Sequence, residues 1–365
     1  MGSNKFTIIH FQPLELYPPV LNFVNCLKKF NNIKTCILTT KWEYKFDVKI
    51  PCFRLGYFSK NKIIRYLSYF NFNIIGFIIL FIKRPHSIIY FETLSVLPVY
   101  IYKRIFRKTR ILVHFHEYTT LAEYHESSIY YKFLYRCECK LLKSVYVVSH
   151  TNEERLNLFK ADNNICNRVR FEILPNYPPL SWYKYFDKKN SLDNIIRFVY
   201  VGSISLQSMY LELFANYIKS QPEKVVWNIY SNNYEPSVKK YFYDLDAKNI
   251  YLNEGVQYDL LPEILNKHDV GVILYNGIMQ NHIFCVPNKL LEYYSCGLKV
   301  LCSTDLISSQ KFIKVNNLTS IIPLDFKNRN QVLGIFSMLS DKKTDSQIFD
   351  CENIYNSYIK KYVTI

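Results

Sequence analysis

Short apolar runs rich in Val, Ile and Tyr recur along this chain, with stretches of helical periodicity between them. In the second half the runs are IRFVYVG (196–202), VVWNIYS (225–231), IYLNE (250–254), VGVILY (270–275) and LKVLCS (298–303). The intervening helices cover 206–220, 235–246, 259–267 and 287–296. Strands separated by helical crossovers return to the same end of a sheet and pair in parallel. The pattern predicts a doubly wound α/β domain.

The first half repeats the rhythm. FTIIHF (6–11), KTCILTT (34–40), SIIYFE (87–92), RILVHFH (110–116), SVYVVSH (144–150) and RFEILPN (170–176) read as strands, and ERLNLFK (154–160) as a helix. NIIGFIILFI (73–82) covers about half of a membrane span and reads as a buried helix. Residues 175–194, with their prolines and polar residues, read as a linker. The 365 residues therefore divide into one α/β domain at 1–180 and a second at 190–345. A final helix near 350–365 can pack back on the first. The expected fold class is α/β: two tandem doubly wound, Rossmann-like domains with an interdomain cleft. Ligands in such sheets bind beyond the carboxyl ends of the strands.

Composition narrows the function classes. The 10 cysteines are scattered without a C-x-x-C pair or a Cys/His ligand grouping, which reads as reduced, mostly buried thiols without a structural metal. MGSNKFTIIHF leads straight into a strand-like run, and Phe6 stands where a myristoylation motif needs Ser or Thr. A cytoplasmic chain is expected. Residues 1–185 hold 27 Lys and Arg against 12 Asp and Glu, a net +15; residues 186–365 hold 19 against 18, a net +1. A basic first half calls for an anionic partner: a membrane surface, nucleic acid or a phosphorylated substrate. No helix-turn-helix, RRM, KH or zinc pattern appears, so nucleic acid is not an expected partner.

One short segment carries most of the chemistry. In VPNKLLEYYSCG (286–297), Pro287 suits a first helical position, where its missing N–H costs nothing. The N–H groups of Asn288, Lys289 and Leu290 would then point out of the helix end. With the helix dipole and the Lys289 charge they form an anion site. Glu292 lies one turn deeper on the same side. A carboxylate there repels phosphate but suits the two hydroxyls of a ribose. Nucleotide recognition follows, with pyrophosphate on the helix end and ribose on Glu292. The alternative is ordinary helix punctuation.

EGVQYDLLPEILNKHDVGVILYN followed by VPNKLLEYYSCGLKVLCS resembles the C-terminal half of GT-B glycosyltransferases, in particular the family 4-like group of bacterial polysaccharide assembly. VYVGSIS (199–205) resembles that family's first C-terminal strand and loop, and VHFHEY, VVSH and ILPNYP resemble landmarks of its acceptor domain. The resemblance spans about 110–305. It implies a metal-independent hexosyltransferase-type enzyme without a bound cofactor. Such an enzyme would move a sugar from a UDP- or GDP-type nucleoside-diphosphate sugar to a lipid-linked or oligosaccharide acceptor, with retention, in cell-surface polysaccharide (capsule) synthesis. It would work at the anionic inner face of the cell membrane. Gly202, Ser203 and Ser205 would face the diphosphate and Gln257 the base. His116 and Glu117, where the HFHEY strand should end, would stand beside the transferred sugar and the acceptor. The family often has a second glutamate, E-x7-E, where this chain has Phe284, and an Arg and a Lys where this chain reads GSISLQS. The competing readings are a non-catalytic GT-B scaffold, a sugar-nucleotide epimerase and a nucleic-acid-binding protein.

Overall fold

The computed structural model describes residues 4–41, 50–57, 59, 61–163, 165, 168–186, 195–339, 345 and 347–364. Cys166 and the stretch 187–194 of the expected linker lie outside them. The chain forms two compact units, Met1–Asn176 with Cys351–Ile365, and Tyr177–Asp350.

The first unit is built on β1 (Asn4–His10), β2 (Ile33–Lys41), β3 (Cys52–Tyr57), β4 (Ser87–Phe91), β5 (Arg110–Phe115), β6 (Val147–His150) and β7 (Arg170–Ile173). They pair in the order β3-β2-β1-β4-β5-β6-β7, all parallel. The second is built on β8 (Ile196–Val201), β9 (Val225–Tyr230), β10 (Ile250–Asn253), β11 (Val270–Ile273), β12 (Lys299–Ser303) and β13 (Ile321–Leu324). Their order is β10-β9-β8-β11-β12-β13, again all parallel. Each sheet reverses its winding once, between β1 and β4 in the first unit and between β8 and β11 in the second. These are the points at which such sheets open a crevice.

Two edge strands escape the sequence pattern. In β3, CFRLGY, the apolar run is broken by Arg54, whose guanidinium is held by Glu15 at 2.5 and 3.1 Å. β13 is four residues long and contains Pro323, which an edge position tolerates. The stretch 177–186, expected to be linker, belongs to the second unit. Trp182, in the 3-10 turn Leu180–Tyr185, is buried and packs on Tyr258 at a ring separation of 4.9 Å.

A larger correction concerns 73–82. The helix there runs from Lys62 to Lys83, and only Ser68, Phe72, Asn73, Gly76 and Leu80 are buried. Ile63, Leu67, Phe70, Ile74, Ile78 and Phe81 are exposed. Hydropathy alone made the segment look internal, because almost every turn of it is apolar all round. The sheet covers only one face.

The helix Cys351–Tyr362 completes the first unit. Tyr355 and Tyr358 set their edges against Phe23, at 5.4 and 6.2 Å, and Lys361 pairs with Glu172 at 2.5 Å.

Candidate functional site

At the switch point of the second sheet, two loops meet. One follows β8, the other follows β11 and leads into the helix Asn288–Ser295. The helix is fixed to the sheet by Tyr293. Its hydroxyl accepts the Val201 N–H at 2.9 Å, and its ring lies where a Cβ on Gly271 would stand only 2.1 Å from it. A residue larger than glycine at 271 would lift the helix off β11. At the other end Gly297, at φ +74°, takes the left-handed turn that stops the helix, and Leu298 N–H bonds back to the Tyr293 carbonyl at 3.1 Å.

Pro287 precedes the first helical residue instead of occupying it: its backbone is extended, at φ −68° and ψ 145°. The Leu290 N–H donates to the Pro287 carbonyl at 3.0 Å. Of the three N–H groups expected at the helix end, Leu290 is therefore spent internally, and those of Asn288 and Lys289 remain directed outward. The cause is local: a proline with extended ψ turns its own carbonyl back onto the first turn.

Lys289 reaches across to the β8 loop. Its ammonium stands 3.5 Å from the Tyr275 hydroxyl and 5.6 Å from the Tyr200 ring centre. A Cβ at Gly202 would come within 2.5 Å of Lys289 Cε. Its φ of +123° is what demands glycine at 202, since the flexible end of Lys289 could shift to make room for a Cβ. Burial alone would lower the Lys289 pKa, but Tyr275 and Glu292 together hold it above its ordinary value. Glu292 is buried, and that burial pushes its pKa up to about 7 against the opposing pull of Lys289. The result is a buried carboxyl beside a cation at a helix N-terminus.

The remaining candidates of this unit are placed less favourably. Ser205 Oγ caps its own turn, accepting from the N–H groups of Gln207 and Ser208 at 3.2 and 3.3 Å. Ser203 Oγ is exposed and accepts from the Asn233 amide at 3.0 Å. Gln257 is exposed in the loop after β10, the edge strand two places away from β8. The structure brings Gly202, Ser203, Asn288, Lys289 and Glu292 to one switch point and leaves Gln257 outside it.

The first unit gathers a different set at the carboxyl ends of its central strands. His114 and His116 lie on one face, as strand alternation requires, with His114 Nε2 and His116 Nδ1 3.2 Å apart. Their proton positions follow from the chain of partners. Ser149 Oγ gives its proton to the Val113 carbonyl at 3.0 Å, so it accepts from His114 Nδ1, also at 3.0 Å. His114 Nε2 must then accept from His116 Nδ1–H. His116 Nε2 then carries the lone pair of a neutral imidazole, buried beside the Asn176 side chain. Burial keeps both rings neutral, His116 with a pKa lowered to about 4 and His114 well below its ordinary value. Glu117, the next residue, is exposed.

Three neighbours of this pair were not singled out from sequence: His10, Glu92 and His150. Each ends, or directly follows, a buried strand. Glu92 sits at φ +61° and ψ 156°, a backbone that residues with a Cβ adopt at a cost of about 1–3 kcal/mol. Its carboxylate accepts the His116 N–H at 2.6 Å. Burial, then the charge of Glu117, raises its pKa to about 8. His10 and His150 are held neutral by burial, each with a pKa lowered to about 3. The available signal was the repeated ending of an apolar run on a titratable residue: FTIIHF, SIIYFE, RILVHFH and SVYVVSH.

These shifts fix a pH dependence of stability. Glu92 and Glu138, the latter buried against Thr93 at 2.8 Å, both have folded pKa values of about 8. Their contribution is complete below about pH 4.5 and lost as pH rises through 8. The four histidines are depressed, so theirs is complete above about pH 6.5 and lost on acidification. From 6.5 to 8 only the carboxyls count, and stability falls with rising pH. From 4.5 to 6.5 four histidines outweigh three carboxyls, Glu292 with its pKa of about 7 being the third, and it falls with falling pH. Thermal unfolding should therefore show maximal stability near pH 6.5, with limbs of about 1.4 kcal/mol per unmatched proton per pH unit. Glu138→Gln should flatten the upper limb and, by removing a term that opposes the histidines, steepen the acid limb. A melting temperature that climbs steadily to pH 8 would contradict this assignment.

No family model and no curated protein sequence matches the chain. Solved structures do match along nearly its whole length. HepE from Anabaena, in complex with UDP and glucose, is 12% identical with a TM-score of 0.69, covering 98% of each chain. Sucrose-phosphate synthase from Thermosynechococcus elongatus is 12% identical with a TM-score of 0.65, covering 99% of this chain and 95% of its own. UDP-GlcNAc 2-epimerase from Neisseria meningitidis, bound to UDP-GlcNAc, is 12% identical with a TM-score of 0.62, covering 98% of each. The chain thus has the GT-B fold of two Rossmann-like domains, α/β throughout.

Proposed function

We propose that this protein is a glycosyltransferase that takes its sugar from a nucleoside-diphosphate sugar. The observation that carries the proposal is the second switch point. There an outward helix N-terminus, a half-buried lysine against Gly202 and a buried Glu292 stand together. Fixed N–H donors and a cation suit a diphosphate, and they stabilise it most as negative charge gathers on the leaving group. The carboxylate suits the ribose diol. The HepE structure, with its UDP and glucose, supports a UDP-type donor.

In the first unit the buried Nε2 of His116, once uncovered, accepts a hydrogen bond from a hydroxyl of the transferred sugar, with Glu117 toward the acceptor. The acceptor is a lipid-linked or oligosaccharide chain at the anionic inner face of the membrane. Retention of configuration, a hexose donor, independence of metal and a place in cell-surface polysaccharide synthesis complete the reading, on the strength of the family 4-like resemblance.

A panel of UDP, GDP, CDP and ADP tests the donor site by thermal shift. A nucleotide at 100 times its Kd adds about 2.7 kcal/mol to the stability of the unit that binds it. UDP is expected to give the largest shift, and no shift with any of the four would refute the nucleotide site. Incubation with the matching nucleotide sugar then separates the activities. Transfer to added acceptor supports the proposal; an epimerised sugar nucleotide without acceptor indicates the epimerase reading.

A further inference from the structure

The Lys62–Lys83 helix leaves an apolar face without a partner among the described residues. Ile63, Leu67, Phe70, Ile74, Ile78 and Phe81 recur at the spacing of one helical face. Ile63 is 73% exposed, Leu67 64% and Phe70 68%, far more than isolated surface apolar residues require. At 22 residues the helix is about 33 Å long, and the stripe runs its whole length.

Its charges are of one sign. Lys62 and Arg65 open the helix, Lys83 and Arg84 close it, and all four are exposed. From residue 48 to 116 the chain has twelve Lys and Arg and one acid, Glu92, which is half-buried. At the closing end, a cavity of about 980 Å³ at the amino ends of the strands is lined by Lys34, Arg84, Arg107, Lys108 and Arg110, with no carboxylate.

We propose that this face lies in the plane of an anionic lipid bilayer, with the stripe among the upper acyl chains and the basic ends at the headgroup phosphates. An apolar face bounded by cations is what an interfacial helix requires. The helix is long and apolar enough to cross a membrane. Its opposite face is committed to the protein, however: Phe72, Gly76 and Leu80 are buried, and Asn73 bonds the Tyr130 hydroxyl at 2.7 Å. It therefore lies along the surface instead of spanning. A second copy is the poorer occupant, because pairing two such faces would set cation against cation at both ends with no acid to relieve them. The inference extends the membrane-bound acceptor proposed above.

The test is cosedimentation of the full chain with phosphatidylglycerol-containing and pure phosphatidylcholine vesicles, without donor or acceptor. Its failure would leave the transfer reading intact, and failure of transfer would leave the vesicle result intact. Binding is expected on the anionic vesicles, weakening as salt rises. Phe70→Glu with Ile74→Glu should reduce it at least about tenfold at unchanged melting temperature. Leu67→Trp should add a blue-shifted emission component that brominated lipid quenches. Equal binding of the double variant, or of wild type to both vesicle types at low salt, would overturn the proposal. So would a loss of melting temperature in the double variant, which would show a face already covered by the chain itself. So too would a solution dimer that the double variant dissociates.

Discussion

Replacing His116 with alanine should lower turnover by about 10²- to 10⁴-fold, the range of a positioned group acting on the reacting centre. Nucleotide affinity should hardly change, because the groups proposed to hold the nucleotide belong to the second unit. The pH profile separates contact with the sugar from a packing role. A ring with a pKa lowered to about 4 stays neutral across the working range, so kcat/KM should show no limb at the ordinary histidine value. His116→Asn would keep a polar group but lose the proton chain from Ser149 through His114, and should recover only a minor part of the rate. Wild-type turnover in His116→Ala would remove the residue from the reaction.

Glu292→Gln should weaken nucleoside diphosphate binding by about 1–3 kcal/mol, the worth of a charge-assisted hydrogen bond lost at a buried site. The side chain keeps its size, so helix packing is preserved. Against a 2′,3′-dideoxy nucleotide the same substitution should cost much less, since the hydroxyls it would meet are absent. Lys289→Ala should do the converse, weakening diphosphates more than nucleosides. Glu292 has a pKa near 7 without ligand, so wild-type affinity should also drop as pH falls from 8 to 6, and this dependence should vanish in Glu292→Gln. Isothermal titration of the three proteins with the nucleotide and its dideoxy analogue reads all these effects. Equal affinity of wild type and Glu292→Gln for both ligands would reduce Glu292 to a helix-turn acid.

Much of the fold was legible because the crossover rhythm is a long-range signal that survives local ambiguity. Eleven of the thirteen described strands follow from apolar runs such as RILVHFH and VVWNIYS. β3 and β13 were not, because edge strands need not be apolar on both faces, and Arg54 and Pro323 are tolerated there. The Lys62–Lys83 helix was read as internal because composition reports how apolar a segment is, never which face a sheet happens to cover. At the site, the helix end with Lys289 and Glu292 was visible as a local motif. The approach of Lys289 to Gly202 was not, since it joins residues 87 positions apart. The strain at Glu92 is likewise a property of backbone angles that no residue pattern encodes.

The return of Cys351–Tyr362 to the first unit gives the protein an order of assembly. Phe23, which that helix covers, is made before the second unit, while its cover is made after it. A nascent chain that has reached Asp350 holds every residue of the second unit but still lacks the closing piece of the first. Domains fold as units during synthesis, usually the amino-terminal one first. Here the inserted unit can finish while the unit begun before it waits. Until that helix emerges, the surface around Phe23 is exposed to chaperones and proteases, and a chain cut short before Cys351 would keep that exposure for life.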